Sequence, residues 1–166
     1  VIVISDNSVL SCLAEIGELD LLRVLYGKVT ITETIRREAV HPGAPERLRT
    51  LIAAMPDWIL VVPDEIPYLE ETAALDHGEA SAITLAWEHR DASLLVLDEK
   101  RGRKVAGALG LRITGTAGLL TDAAAAGLID FERIFLKLSQ TGFRLSAQVV
   151  EELRQSLTIR RPLPGS

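Results

Sequence analysis

Apolar positions in this chain follow two rhythms, and their alternation outlines a fold. Val1-Ile-Val-Ile4 and Leu94-Leu-Val-Leu97 are unbroken apolar runs, the pattern of strands covered on both faces of a parallel sheet. Elsewhere apolar residues recur at helical spacing: Leu10, Leu13 and Ile16, then Leu19, Leu21, Leu22 and Leu25, with the break around Gly17 and an end at Gly27. Val29-Thr-Ile31 is a short second strand, and Thr32 is placed to cap a helix through Val40. His41-Pro-Gly-Ala-Pro45 breaks the chain before a helix carrying Leu48, Leu51 and Ile52, which Pro56 ends. Trp58 to Val62 is predicted as a third strand, followed by a helix from about Tyr68 to Leu75.

The next stretch organises the rest. Ala80, Ile83, Leu85, Ala86 and Trp87 predict a helix after Gly78, Leu94 to Leu97 the fourth strand, and the segment past Asp98 a helix ended by Gly110. Arg112 to Thr114 is a fifth strand. Helices are expected over Thr116–Ala126 and Asp130–Leu138. A last helix, capped by Ser146, carries Val149, Val150, Leu153 and Leu157 on one face. Strands alternating with helices make right-handed crossovers and a parallel sheet the economical assembly, so the expected class is α/β. One domain is expected over residues 1–157, with a mobile tail at 158–166.

Composition narrows the function classes. With 48% apolar residues in 166, a globular domain with its own core is expected rather than disorder. No apolar run approaches the roughly 20 residues that cross a bilayer, and no basic-then-apolar leader is seen, so a cytoplasmic protein is expected. The single Cys12 excludes a disulfide framework and reads as a buried small hydrophobe. A net charge of -5 argues against binding nucleic acid by bulk attraction, although a local basic patch would still serve.

In an open α/β sheet, chemistry gathers at the carboxyl ends of the strands. Asp6 and Asp98 each follow an apolar run, Glu79 begins the helix that feeds the fourth strand, and Glu38 borders the buried face of its helix. Each acid also has a plain structural account. Asp6 and Asp98 could cap helices, Asp76-His-Gly-Glu79 is a capping-box pattern, and Glu38 could be a solvated surface acid. Their common location favours a joint role in holding a divalent cation for phosphodiester hydrolysis. Hard cations such as Mg²⁺ and Mn²⁺ take oxygen ligands, keep several waters and need only a few carboxylates. Three histidines without ligand-like spacing and one cysteine give zinc little support. Lys100, Arg101, Arg103 and Lys104 sit early in a helix, where cations oppose its dipole, and could hold a nucleic acid backbone over the acids or form a solvated basic face. Ser8 and Thr116 are hydroxyls near strand ends, able to steady water or phosphate or to cap.

Five stretches together resemble the PIN domains, in particular a bacterial and archaeal branch of small PIN-like proteins. They are Ser5-Asp-Asn-Ser-Val-Leu10, Ile35 to Val40, His77-Gly-Glu-Ala-Ser-Ala-Ile83, Leu97-Asp-Glu-Lys-Arg-Gly-Arg-Lys-Val-Ala106 and Gly115-Thr-Ala-Gly-Leu-Leu120. The resemblance implies a three-layer α/β/α fold with parallel strand order 3-2-1-4-5. It implies a Mg²⁺- or Mn²⁺-dependent ribonuclease, frequently the toxin of a type II toxin–antitoxin pair, with Asp6, Glu38, Glu79 and Asp98 as metal-binding acids and Ser8 as a supporting hydroxyl. Glu99 stands where that branch often has a second Asp. An antitoxin partner and a homodimer are further implications.

Single-stranded or looped RNA is the expected substrate, since no groove-reading helix is apparent. The alternative is a PIN-like module that binds RNA or a protein without cutting. A phosphoryl-transfer enzyme ranks below both, lacking Asp-x-Asp after the first strand and any Gly-x-x-x-x-Gly-Lys loop.

Overall fold

The structure, a computed structural model, describes residues 1–141 and residue 154. The helix expected after Ser146 and the tail from residue 158 lie outside the described residues. Backbone contacts divide the chain into two compact units, Val1–Thr116 and Ala117–Ser166.

The first unit is built on a five-stranded, all-parallel sheet: β1 (Ile2–Ser5), β2 (Val29–Thr32), β3 (Ile59–Val62), β4 (Ser93–Val96) and β5 (Ile113–Thr114), in the order β3-β2-β1-β4-β5. This is the three-layer α/β/α fold expected for the chain. All four positions of β2 are buried, which requires cover on both faces, so Thr30 and Thr32 are enclosed along with Val29 and Ile31. Ile4, Ile31 and Leu95 are fully shielded at the sheet centre. Leu10, Leu13, Leu22, Ile35, Leu48, Ile52 and Ile83 supply the helical side of the core.

Strand order reverses at β1, which pairs with β2 on one side and β4 on the other. Helices α1 (Asn7–Glu15), α2 (Asp20–Tyr26), α3 (Glu33–Ala39), α4 (Glu46–Ala53), α5 (His77–Glu88) and α6 (Lys100–Ala108) fill the connections. Gly17 and Gly27 take φ of 73° and 76° where α1 and α2 end, a left-handed turn that glycine adopts without strain. Thr32 caps α3, accepting from the Ile35 amide at 3.2 Å, as its position after a strand suggested.

One predicted element is absent. Tyr68 to Leu75 holds only a 3-10 turn, Glu70–Thr72, because the Thr72 amide and hydroxyl both donate to the Leu69 carbonyl, which an α-helix would offer to the Ala73 amide; the Leu69 amide itself donates to Thr84 Oγ1 at 3.1 Å. β4 begins at Ser93, one residue before the apolar run, since the buried Ser93 hydroxyl is satisfied by the Ala86 carbonyl at 3.1 Å.

In the second unit, α7 (Thr116–Ala125, its first residue belonging to the first unit) is followed by α8 (Phe131–Ser139). Asp130 caps α8, Phe131 and Phe135 stack at 6.4 Å, and Arg154 pairs with Glu132 at 2.8 Å while lying over Phe135.

Candidate functional site

Parallel pairing brings Asp6 and the Asp98 turn to one edge of the sheet. Ser5 is in register with Val96, and the Asp6 amide extends that ladder to the Val96 carbonyl at 3.1 Å. Both aspartates therefore stand at the carboxyl edge of neighbouring central strands, beside the reversal of strand order, where open α/β sheets place their ligands. α5 brings Glu79 and α3 brings Glu38 towards the same edge.

Asp6 is buried at 2% exposure. Its Oδ1 accepts from the Val9 amide at 3.2 Å and its Oδ2 from the Ser8 hydroxyl at 2.6 Å, so the helix-cap role is real and leaves Ser8 as a supporting group. Burial pushes its pKa up to about 7; the bonds from Ser8 and Val9 act against this, and the charge of Asp98 adds to it.

Asp98 is half-buried and held by Thr116 twice, through the amide at 2.7 Å and the hydroxyl at 2.6 Å. Gly115 makes that approach possible: a Cβ there would come within 2.6 Å of Asp98 Oδ1 and 2.8 Å of the Arg103 guanidinium. Arg103 is half-buried and donates one terminal nitrogen to the Leu97 carbonyl at 2.8 Å, whereas Lys100, Arg101 and Lys104 are exposed.

Glu79 is buried at 7% exposure. Asp76 accepts from its backbone amide at 2.8 Å, but the return bond of a capping box is not made, which leaves the Glu79 carboxylate to the acidic cluster. Burial first, then the charges of Asp76, Glu99, Asp6 and Glu38, push it up to about 7. Glu38 is raised as well, by burial and then Asp76, against the opposing Gly78 amide and His77. Its carboxylate lies against Gly78, where a Cβ would sit 2.6 Å from both oxygens.

Repulsion thus links Asp6 to Asp98, and Glu79 to Asp6, Glu38 and Glu99. Among the described residues no three His, Cys, Asp or Glu side chains form a ready-made ligand group. The donor set still fits a hard divalent cation, which needs one or two carboxylates with waters filling the rest, and a cation would offset the burial and, after it, the mutual repulsion that raise Asp6 and Glu79. Cys12 is buried and its thiol is pushed up to about 12, chiefly by burial, so it is an inert part of the core.

Sequence reasoning misses several participants. Thr116 reads as a cap, and its pairing with Asp98, 18 positions away, has no local signature. Asn7 follows Asp6 and buries an Oδ1 without a hydrogen-bond partner among the described residues. It lines a cleft of about 620 Å³ with Ser11, Arg37, Glu38 and His41.

A parallel sheet of this order, with Asp6 and Asp98 at the carboxyl edge of its central strands, is an α/β frame of the kind that binds ligands where strand order reverses. A family model described as a PIN domain matches residues 2–158, and the chain belongs to that family. PIN domains are generally nucleases, typically use divalent metals and act on nucleic acid. Comparison with curated proteins and with solved structures gives no significant match.

Proposed function

We propose that this protein is a Mg²⁺- or Mn²⁺-dependent endoribonuclease whose metal is held by Asp6, Glu38, Glu79 and Asp98. The observation that carries the reading is the set of carboxylates at the carboxyl edge of the two central strands, with Asp6 and Glu79 buried and both raised to about 7. Desolvated carboxylates that repel one another are costly unless a cation or proton offsets them, and sites of this kind are where chemistry is found. The ion, when bound, would supply Lewis acidity: it lowers the pKa of water and offsets charge that builds on the phosphoryl group.

The protein's own residues do the positioning. Ser8 orients Asp6, and Thr116 fixes both oxygens of Asp98. Gly78 and Gly115 leave room for Glu38 and Asp98 to lie against backbone. Lys100, Arg101 and Lys104, exposed on the first turns of α6, would hold the RNA backbone, and Arg103 would steady the turn that presents Asp98. The one-domain boundary over residues 1–157 is supported by the extent of the family match.

The toxin role in a type II toxin–antitoxin pair, with an antitoxin partner and a homodimer, is a further part of the proposal, supported by the resemblance to small PIN-like proteins. So is a cytoplasmic site: Cys12 is unpaired, and no helix among the described residues is long and apolar enough to cross a membrane. A second reading, a PIN module that binds without cutting, is favoured by the lack of a preformed three-ligand group among the described residues. Purified protein incubated with assorted RNAs, with Mn²⁺ or with chelator, separates the two. Cleavage in Mn²⁺ that Asp98→Asn abolishes, with the fold intact by circular dichroism, supports the nuclease. Undiminished cleavage by that variant refutes the assignment.

A further inference from the structure

A second cleft, of about 660 Å³, opens where β2 and β3 end, and Thr34, Arg37, Val62, Ile66, Tyr68 and His77 are among its walls. That volume lies within the ~300–1,000 Å³ typical of small-ligand sites. Two aromatic rings meet in it. Tyr68 and His77 stand 6.2 Å apart at 63°, an edge-to-face pair, and His77 is exposed.

Tyr68 is held before any ligand arrives. Its hydroxyl donates to Asp64, whose carboxylate also accepts from the Thr34 amide at 3.1 Å and from the Thr34 hydroxyl. A ring fixed in this way loses little freedom on binding. His77 begins α5 and is followed by Gly78, against which the Glu38 carboxylate lies, and by Glu79, so the cleft adjoins the acids. Arg37 borders both clefts; its side chain is 71% exposed and only loosely paired, 3.5 Å from Glu33. Ile66, 78% exposed, adds apolar surface.

We propose that this cleft is a nucleobase subsite, taking one unpaired base of single-stranded RNA against Tyr68 and His77 with the adjoining phosphate on Arg37. The inference rests on the reading that this protein acts on RNA, and it adds where the strand is gripped. Base stacking on aromatic rings tolerates any sequence, and a neighbouring cation follows the backbone. Glu33 and Asp64 would repel a phosphate inside the cleft, which leaves the base as the part that enters and Arg37 as the phosphate contact. A duplex keeps its bases stacked and offers none.

The test uses the full chain in chelator, so that binding is read without cleavage. Irradiation with a single-stranded oligoribonucleotide carrying 5-iodouracil should give cross-linked peptides containing Tyr68 or His77 by mass spectrometry. In fluorescence anisotropy His77→Ala should weaken that oligonucleotide about tenfold, within the range of one stacked base. His77→Phe, which keeps a ring, should restore binding, and an oligonucleotide with abasic positions should not distinguish His77→Ala from the unaltered chain. Unchanged affinity in a folded His77→Ala protein, cross-links only elsewhere, or no binding of single-stranded RNA overturns the subsite. RNA mapped to this cleft but left uncut in Mn²⁺ would instead sink the nuclease reading and leave the subsite standing.

Discussion

Replacing Asp6 by Asn should make the metal-free protein more stable at pH 8. Asp6 has 2% exposure, and its carboxyl is pushed from 3.8 up to about 7, first by burial and with a further push from Asp98. A shift of about 3 units at about 1.4 kcal/mol each puts the cost of the ionised form in the folded chain at up to about 4 kcal/mol. In the unfolded chain the proton leaves near pH 4, and in the folded chain near pH 7. Between those values the folded chain binds more protons, so stability falls as pH rises through the window and the loss is complete above it. Asn carries no charge and keeps an oxygen for the Val9 amide, while the Ser8 hydroxyl can turn to accept from its amide. Urea denaturation in chelator should show Asp6→Asn more stable by about 2–4 kcal/mol at pH 8, narrowing to about 1 kcal/mol near pH 4.5. Mn²⁺ at pH 8 should stabilise the unaltered chain and do much less for the variant. A variant that is destabilised at pH 8, or that differs by the same amount at both pH values, would refute the reasoning.

Three other substitutions separate site from scaffold. Gly78→Ala should leave the melting temperature level or raise it, since Ala is favoured over Gly in a helix by up to about 1 kcal/mol, yet it should lower RNA cleavage because its Cβ displaces the Glu38 carboxylate. Thr116→Val removes one of the two bonds to Asp98; it should cost about 1–2 kcal/mol in denaturant unfolding and reduce the cleavage rate rather than only the affinity. Changing Lys100, Arg101 and Lys104 together to Ala should flatten the dependence of log affinity on log salt by about 2 for single-stranded RNA, measured by anisotropy in chelator; an unchanged slope would place the RNA backbone elsewhere.

How much of this is readable in the chain depends on how local each signal is. The α/β class and most elements follow from apolar rhythm, because a residue's burial in a strand or helix is recorded in its near neighbours. The strand order comes from family resemblance, since nothing in a strand's own residues names its partner, and the structure has that order. The helix expected from Tyr68 to Leu75 stops at a 3-10 turn, where the Thr72 hydroxyl competes for the Leu69 carbonyl, a competition that apolar rhythm does not record. The acids stand out by their places after strands and at helix starts. The residues that hold them are harder to find: Thr116 meets Asp98 only because β4 and β5 run side by side, and the capping-box reading of Glu79 is half right, as Asp76 caps but Glu79 does not reciprocate.

The ladder bond from Asp6 to Val96 has a further consequence. With one aspartate tied into the pairing of the two innermost strands and the other in the turn that follows, their spacing belongs to the most deeply protected part of the backbone. Outlying turns can fray on warming without parting them. Heat inactivation should therefore track collapse of the whole sheet and show no earlier, gentler phase.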